Sequence, residues 1–182
     1  LPELDEYKPT ADGQPPLATL QRLFETAPAE DRALMRSALF LGIEMSAGRD
    51  AYGQGDFLIR NLVGMDADSG ALAVAAPLSE AQVVQFHVRD ALASSADLEE
   101  RFARYRSSVP GARSARGALL FSCLGRGQGL YGRPDHDSDV LRRHLGDVPV
   151  GGFFCNGEIG PVQGRTFLHG YTSAFGILRP RN

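Results

Sequence analysis

Residues 117–124 read Gly-Ala-Leu-Leu-Phe-Ser-Cys-Leu, apolar at odd and even positions alike, and run directly into Gly125-Arg126-Gly127. A strand that is apolar on both faces belongs in the middle of a sheet. Its glycine-rich end permits positive φ and close approach of another chain or a ligand. Residues 150–155 repeat the pattern and end in Asn156-Gly-Glu158-Ile-Gly-Pro161. Any fold for this chain must place two charges, Arg126 and Glu158, at the ends of apolar strands and find each a partner.

The remaining elements follow from periodicity. Leu17, Leu20, Leu23 and Phe24 have helical spacing behind Pro15-Pro16. Residues 38–45 are an apolar run that predicts a strand, with a helix as the alternative. Residues 57–65, the Asp66-Ala-Asp-Ser-Gly70 cluster and residues 71–76 predict a hairpin. Residues 82–89 alternate, with Val84, Phe86 and Val88 opposite Gln85, His87 and Arg89. Ser94-x-x-Asp97 predicts the start of a helix whose stripe is Leu98, Phe102 and Tyr105. Residues 138–145 predict a short helix stopped by Gly146, and residues 165–178 the last strands. This order predicts an α+β fold with a largely antiparallel sheet core, as one sheet or two layered sheets, packed with a few helices. Residues 1–15 read as an extended arm and 16–182 as the domain.

Composition narrows the function. With 22 acidic and 19 basic residues the net charge is −3, which argues against nucleic acid as a partner. The apolar runs are too short to insert in a membrane. Two cysteines, Cys123 and Cys155, are too few for a disulfide scaffold or a four-thiolate zinc site, and they point to free thiols in a cytoplasmic setting. The opening Leu-Pro-Glu-Leu-Asp has no initiator Met and reads as the start of a fragment.

The candidate site is assembled from the strand ends. Arg126 can fork onto a carboxylate or phosphate, or pair with an internal carboxylate. Glu158 needs a donor, and Arg126 is the expected one. That pair would either lock two loops, as in a protein-interaction module whose loops are purely structural, or, with Asn156 and backbone amides, floor a site for a small polar ligand. In strand phasing His169 shares a face with Phe167 and Tyr171, as a ligand, an acid/base or a hydrogen-bonded core histidine. Cys123 or Cys155 with His169 and Glu158 also supplies the parts of a thiol enzyme. The candidate ligand-binding residues are therefore Cys123, Arg126, Cys155, Asn156, Glu158, His169 and Tyr171. Arg60, inside an apolar stripe, wants Asp56 or Asp90, or snorkels at a sheet edge.

The segments GDFLIRNLVGMD, VQFHVRDA, GALLFSCLGRG, GFFCNGEIGPV and TFLHGYTSAFGI, in this order, resemble the C-terminal domain of the FIST family, the F-box and intracellular signal transduction proteins. The resemblance runs from about residue 16 to 178. Ser-Cys-x-Gly-Arg-Gly and Gly-Glu-Ile-Gly-Pro are its most specific marks. It implies a bacterial sensory domain that binds a small molecule such as an amino acid. It also implies an N-terminal FIST domain as a partner in the full-length protein. A eukaryotic relative carries an F-box and serves in ubiquitin ligation, and some bacterial relatives bind haem as nitric oxide sensors. Haem is not expected here, because His87 shares its face with Gln85 and Arg89 and no Cys-x-x-Cys-His tether exists. No metal or other cofactor is expected.

Overall fold

The computed structural model describes residues 13–162 and 164–180. Most of the expected arm lies outside the described residues. The chain divides into two compact units that meet in sequence between Arg89 and Asp90.

The first unit opens with α1 (Pro16–Thr26) and α2 (Ala29–Ser37), each entered through a proline. Four strands follow: β1 (Leu39–Glu44), β2 (Phe57–Met65), β3 (Leu72–Val74) and β4 (Val84–Val88). They form one antiparallel sheet in the order β3-β2-β1-β4. β1 is flanked on both sides, which is why its apolar run is buried from Phe40 onward. Its glycine has a structural cause: a Cβ at Gly42 would lie 2.4 Å from His87 Nε2 and 2.9 Å from Phe57 Cβ. The hairpin between β2 and β3 forms where the Asp/Ser/Gly cluster predicts it. Asp66 accepts from Ser69 Oγ and from the Asp68 amide. Asp56 pairs with Arg49 at 2.7 Å, while Arg60 Nη1 donates to the Ile59 carbonyl.

The second unit carries the candidate site. Its helix α3 (Ala91–Ser108) starts three residues before Ser94. Asp90, not Ser94, is the cap: its carboxylate accepts from the Ala93 amide at 2.8 Å. The Ser94 hydroxyl is engaged elsewhere, with Arg126 and Tyr131. The predicted stripe holds, with Leu98 and Phe102 buried and Tyr105 packed beside them.

After α3 come β5 (Gly117–Cys123), α4 (Gln128–Tyr131), α5 (His136–Leu145), β6 (Val150–Cys155), β7 (Glu158–Val162), β8 (Arg165–His169) and β9 (Ser173–Leu178). β5 is central in a three-stranded sheet of order β6-β5-β9. It runs antiparallel to β9 but parallel to β6, so this sheet is mixed. β7, in the segment read from the sequence as a turn, pairs with β8, which lies in the predicted strand segment 165–178, as a separate hairpin. The whole is α+β with mostly antiparallel sheets.

One face of the β6-β5-β9 sheet receives Leu98 and Phe102 of α3 and Val140, Leu141 and Leu145 of α5, packed against Ala118, Val150, Phe175 and Ile177. Val140 and Leu141 have no exposed surface, and each contributes about 1.5–3 kcal/mol by leaving water. On the opposite face Phe121 and Phe153 meet edge-on at 5.2 Å, and Leu119, Phe153 and Leu178 are exposed.

Candidate functional site

Parallel pairing decides the geometry. Because β5 and β6 run the same way, their C-terminal ends lie at one edge, with Cys123 opposite Cys155. The Leu124 amide donates to the Cys155 carbonyl, so both glycine-rich turns leave side by side. β9 starts at the same edge, with Ser173 opposite Ser122. Successive residues of β5 point to opposite faces. Ser122 therefore faces the helices with Ala118, and Cys123 faces away. A polar cluster gathers on each side.

On the helix side Arg126 is buried and grips Asp137 with both arms of its fork. Nε donates to Oδ2 at 2.8 Å and Nη2 to Oδ1 at 2.9 Å. The same carboxylate accepts from Ser122 Oγ at 3.1 Å, from Ser173 Oγ and from His136 Nδ1 at 2.9 Å. Burial pushes the Asp137 carboxyl up, but the hydrogen bonds and charge of Arg126, with Ser173 and His136, outweigh it and hold the group far below the carboxylate range. Asp137 also sits in the first turn of α5, where a negative charge meets the free amide ends. Arg126 Nη1 reaches Ser94 Oγ at 3.0 Å, and its guanidinium lies 5.4 Å from the centre of the Tyr131 ring. The expected partner of Arg126, Glu158, is thus replaced by Asp137. The two strand-end turns are neighbours, but the arginine points to the helix face.

On the other side Glu158 is buried with only 3% of its surface exposed. It accepts from Thr172 Oγ1 at 2.8 Å, from the Thr172 amide at 3.3 Å and from the Cys155 thiol at 3.3 Å. Burial and then the Glu158 hydrogen bond and charge push the Cys155 thiol above its ordinary pKa. Such a thiol is a poor nucleophile. Both cysteines are free, Cys123 buried and Cys155 partly so. His169 lies opposite Glu158 across the β7–β8 hairpin, but its Nε2 bonds the Gly160 carbonyl at 3.1 Å, as a structural histidine does. Strand phasing fails at Tyr171, which sits past the end of β8 with φ of 62°. That left-handed conformation is uncommon for a bulky residue and costs on the order of 1 kcal/mol or more. Glu158 holds the next residue, Thr172, in place. Asn156 is exposed in the turn between β6 and β7.

Cys123, Cys155, Asn156, Glu158, His169 and Tyr171 thus belong to one end of the sheet, while the Arg126 side chain belongs to the helix-side network. Sequence reasoning missed Asp137, His136, Ser94, Ser95, Tyr131 and Ser173. A signal for two of them was present: the Asp-His-Asp-Ser-Asp run at 135–139 is the acid-rich first turn of a helix, which the helix read from 138 onward cut short. Among the described residues no cluster of three or more His, Cys, Asp or Glu side chains is placed to hold a metal. No helix among them is long and apolar enough to cross a membrane.

The sequence of these strands and turns defines the class: the chain belongs to the FIST C domain family, which it matches over residues 16–161. It is similar to two uncharacterized proteins of Mycobacterium tuberculosis. They are 40% and 39% identical over 166 residues, 91% of this chain and 42% and 43% of theirs. It is also similar to an F-box/LRR-repeat protein of Arabidopsis thaliana, 27% identical over 135 residues, 66% of this chain and 26% of that protein. The chain spans less than half the length of the mycobacterial relatives. No solved structure gives a significant match.

Proposed function

We propose that this is the sensory domain of a cytoplasmic signal-transduction protein, and that it binds a small polar molecule such as an amino acid at the turns after β6 and β8. The observation that carries the reading is the buried Glu158 clamp. One carboxylate ties Cys155, at the end of β6, to Thr172, just before β9, and so fixes the strained Tyr171 beside them. Strain held by a buried polar group is typical of a preorganised site. In this reading Glu158 and Arg126 position the turns, and Asn156 and Tyr171 face the ligand. The resemblance adds an N-terminal FIST domain as the partner to which occupancy is reported. The thiol-enzyme alternative is disfavoured by the raised Cys155 pKa and by the bond that occupies His169.

A thermal-shift screen of the twenty amino acids and small carboxylic acids tests it. A ligand at a hundredfold excess over its Kd adds about 2.7 kcal/mol. For a chain of this size that is a rise of roughly 5–10 °C. Asn156→Ala should remove the rise. A flat response to every compound at about 10 mM, where even Kd values near 0.1 mM reach that hundredfold excess, would refute the proposal.

A further inference from the structure

Ser95, His136 and Asp137 form a hydrogen-bonded chain that the proposed ligand site does not use. An ionised carboxylate only accepts hydrogen bonds. The 2.9 Å contact from His136 Nδ1 to Asp137 Oδ1 therefore places the ring proton on Nδ1 and leaves the lone pair on Nε2. Ser95 Oγ lies 2.9 Å from that Nε2, so its hydroxyl donates to the imidazole. The ring cannot turn freely. It is 5% exposed and stacks on Tyr131 with centroids 3.5 Å apart and planes 9° from parallel. Ser95 itself is only partly buried, one helical turn after Leu92, which is 81% exposed. The order from surface to interior is hydroxyl, base, carboxylate. That is the arrangement of an activated serine, recognised by geometry and not by position in sequence.

We propose that Ser95 is a nucleophile that accepts an acyl group from a small activated ester or thioester. Ser95 Oγ adds to the carbonyl carbon while its proton passes to His136 Nε2. The bond from that carbon to the leaving oxygen or sulfur breaks, and the proton is handed to the departing atom. Water, activated by the same nitrogen, then cleaves the serine ester to a carboxylic acid and restores the hydroxyl. Asp137 holds the tautomer and balances the imidazolium. Arg126 shares that carboxylate, which weakens the balance and makes the reaction slow. Arg126 Nη1 and the Tyr131 hydroxyl are both bonded to Ser94, the residue before the nucleophile, and so brace this turn of α3.

The test is labelling of the purified chain with a fluorophosphonate probe, followed by peptide mapping. General-base assistance is worth about 10²–10⁴ in rate. Ser95 should therefore label at least about 100-fold faster than the exposed Ser107 and Ser114 of the same chain. His136→Gln should erase that advantage while leaving the helical circular dichroism unchanged, and Ser95→Ala should abolish the adduct. Labelling of Ser95 no faster than of Ser107 would overturn the proposal with the native chain alone, whether or not His136→Gln folds. An adduct rate on Ser95 that a folded His136→Gln leaves unchanged would overturn it as well.

Discussion

Removing the Asp137 carboxylate is the most informative perturbation of the second unit. Asp137→Ala deletes the acceptor of five hydrogen bonds, two of them from Arg126. Arg126 is left as a charge in a site where it is 7% exposed. Breaking a buried ion pair on one side typically costs about 3–5 kcal/mol. At about 2–4 °C per kcal/mol for a chain of this length, the melting temperature should fall by roughly 6–20 °C. Replacing both partners with apolar side chains, Arg126→Met with Asp137→Leu, removes the stranded charge. The double variant should be less destabilised than the sum of the two single variants by at least about 2 kcal/mol. Urea titrations at pH 7 of the four proteins give the cycle directly. The sign of the pH effect follows from linkage. The folded carboxyl titrates far below its unfolded value near 4, so its stabilisation is complete above that value and drains away as the pH falls below it. The gap between native protein and Asp137→Ala should be constant from pH 6 to 8 and shrink below about pH 4. A cost under about 1 kcal/mol, or additive single variants, would refute the reasoning that the pair is one buried unit.

A Cβ at Gly152 would sit 1.8 Å from the Leu120 carbonyl oxygen, at φ of 153°, so Gly152→Ala should break the β5–β6 ladder and cost about 3 kcal/mol or more in a thermal melt. Burial lowers the His87 pKa to about 4, and its Nε2 has no hydrogen-bond partner among the described residues. The unfolded chain therefore binds a proton that the folded chain refuses between about pH 6.5 and 4, and stability should fall across that window by up to about 3 kcal/mol, a slope that His87→Gln removes in urea titrations. Glu158→Gln removes the negative charge beside the Cys155 thiol, so iodoacetamide should alkylate Cys155 several-fold faster, with Cys123 still protected by burial.

Most strands were legible as apolar runs or alternating segments bounded by turn residues. Residues 38–45 and 117–124 gave β1 and β5 to within a residue or two, and the Asp66 cluster gave its hairpin. β7 was hidden because glycines and a proline at 157–161 read as a turn, whereas hairpin pairing with the neighbouring residues 165–169 makes 158–162 a strand. The helix start at Ala91 was hidden by a competition between two caps. Asp90 and Ser94 both suit the role by type, and only the position of Arg126 shows which is free to serve. At the site, the need of Arg126 for a buried carboxylate was readable from its setting. Its choice of Asp137 over Glu158 was not, because it depends on which side of β5 the helices pack.

The Arg126–Asp137 pair also acts as an alignment key. Four segments that are distant in sequence converge on it: α3 through Ser94, β5 through Ser122, α5 through His136 and Asp137, and β9 through Ser173. Apolar packing between α5 and the sheet is tolerant, since Val140, Leu141 and Leu145 can find other apolar neighbours after a small displacement. The carboxylate is not tolerant. A slip of α5 by one residue turns it by about 100°, which carries Asp137 away from the arginine and leaves a bare cation inside the domain. Misassembled versions of this sheet-and-helix layer are thereby penalised far more steeply than their apolar contacts alone would ensure, and one arrangement of the strand ends survives.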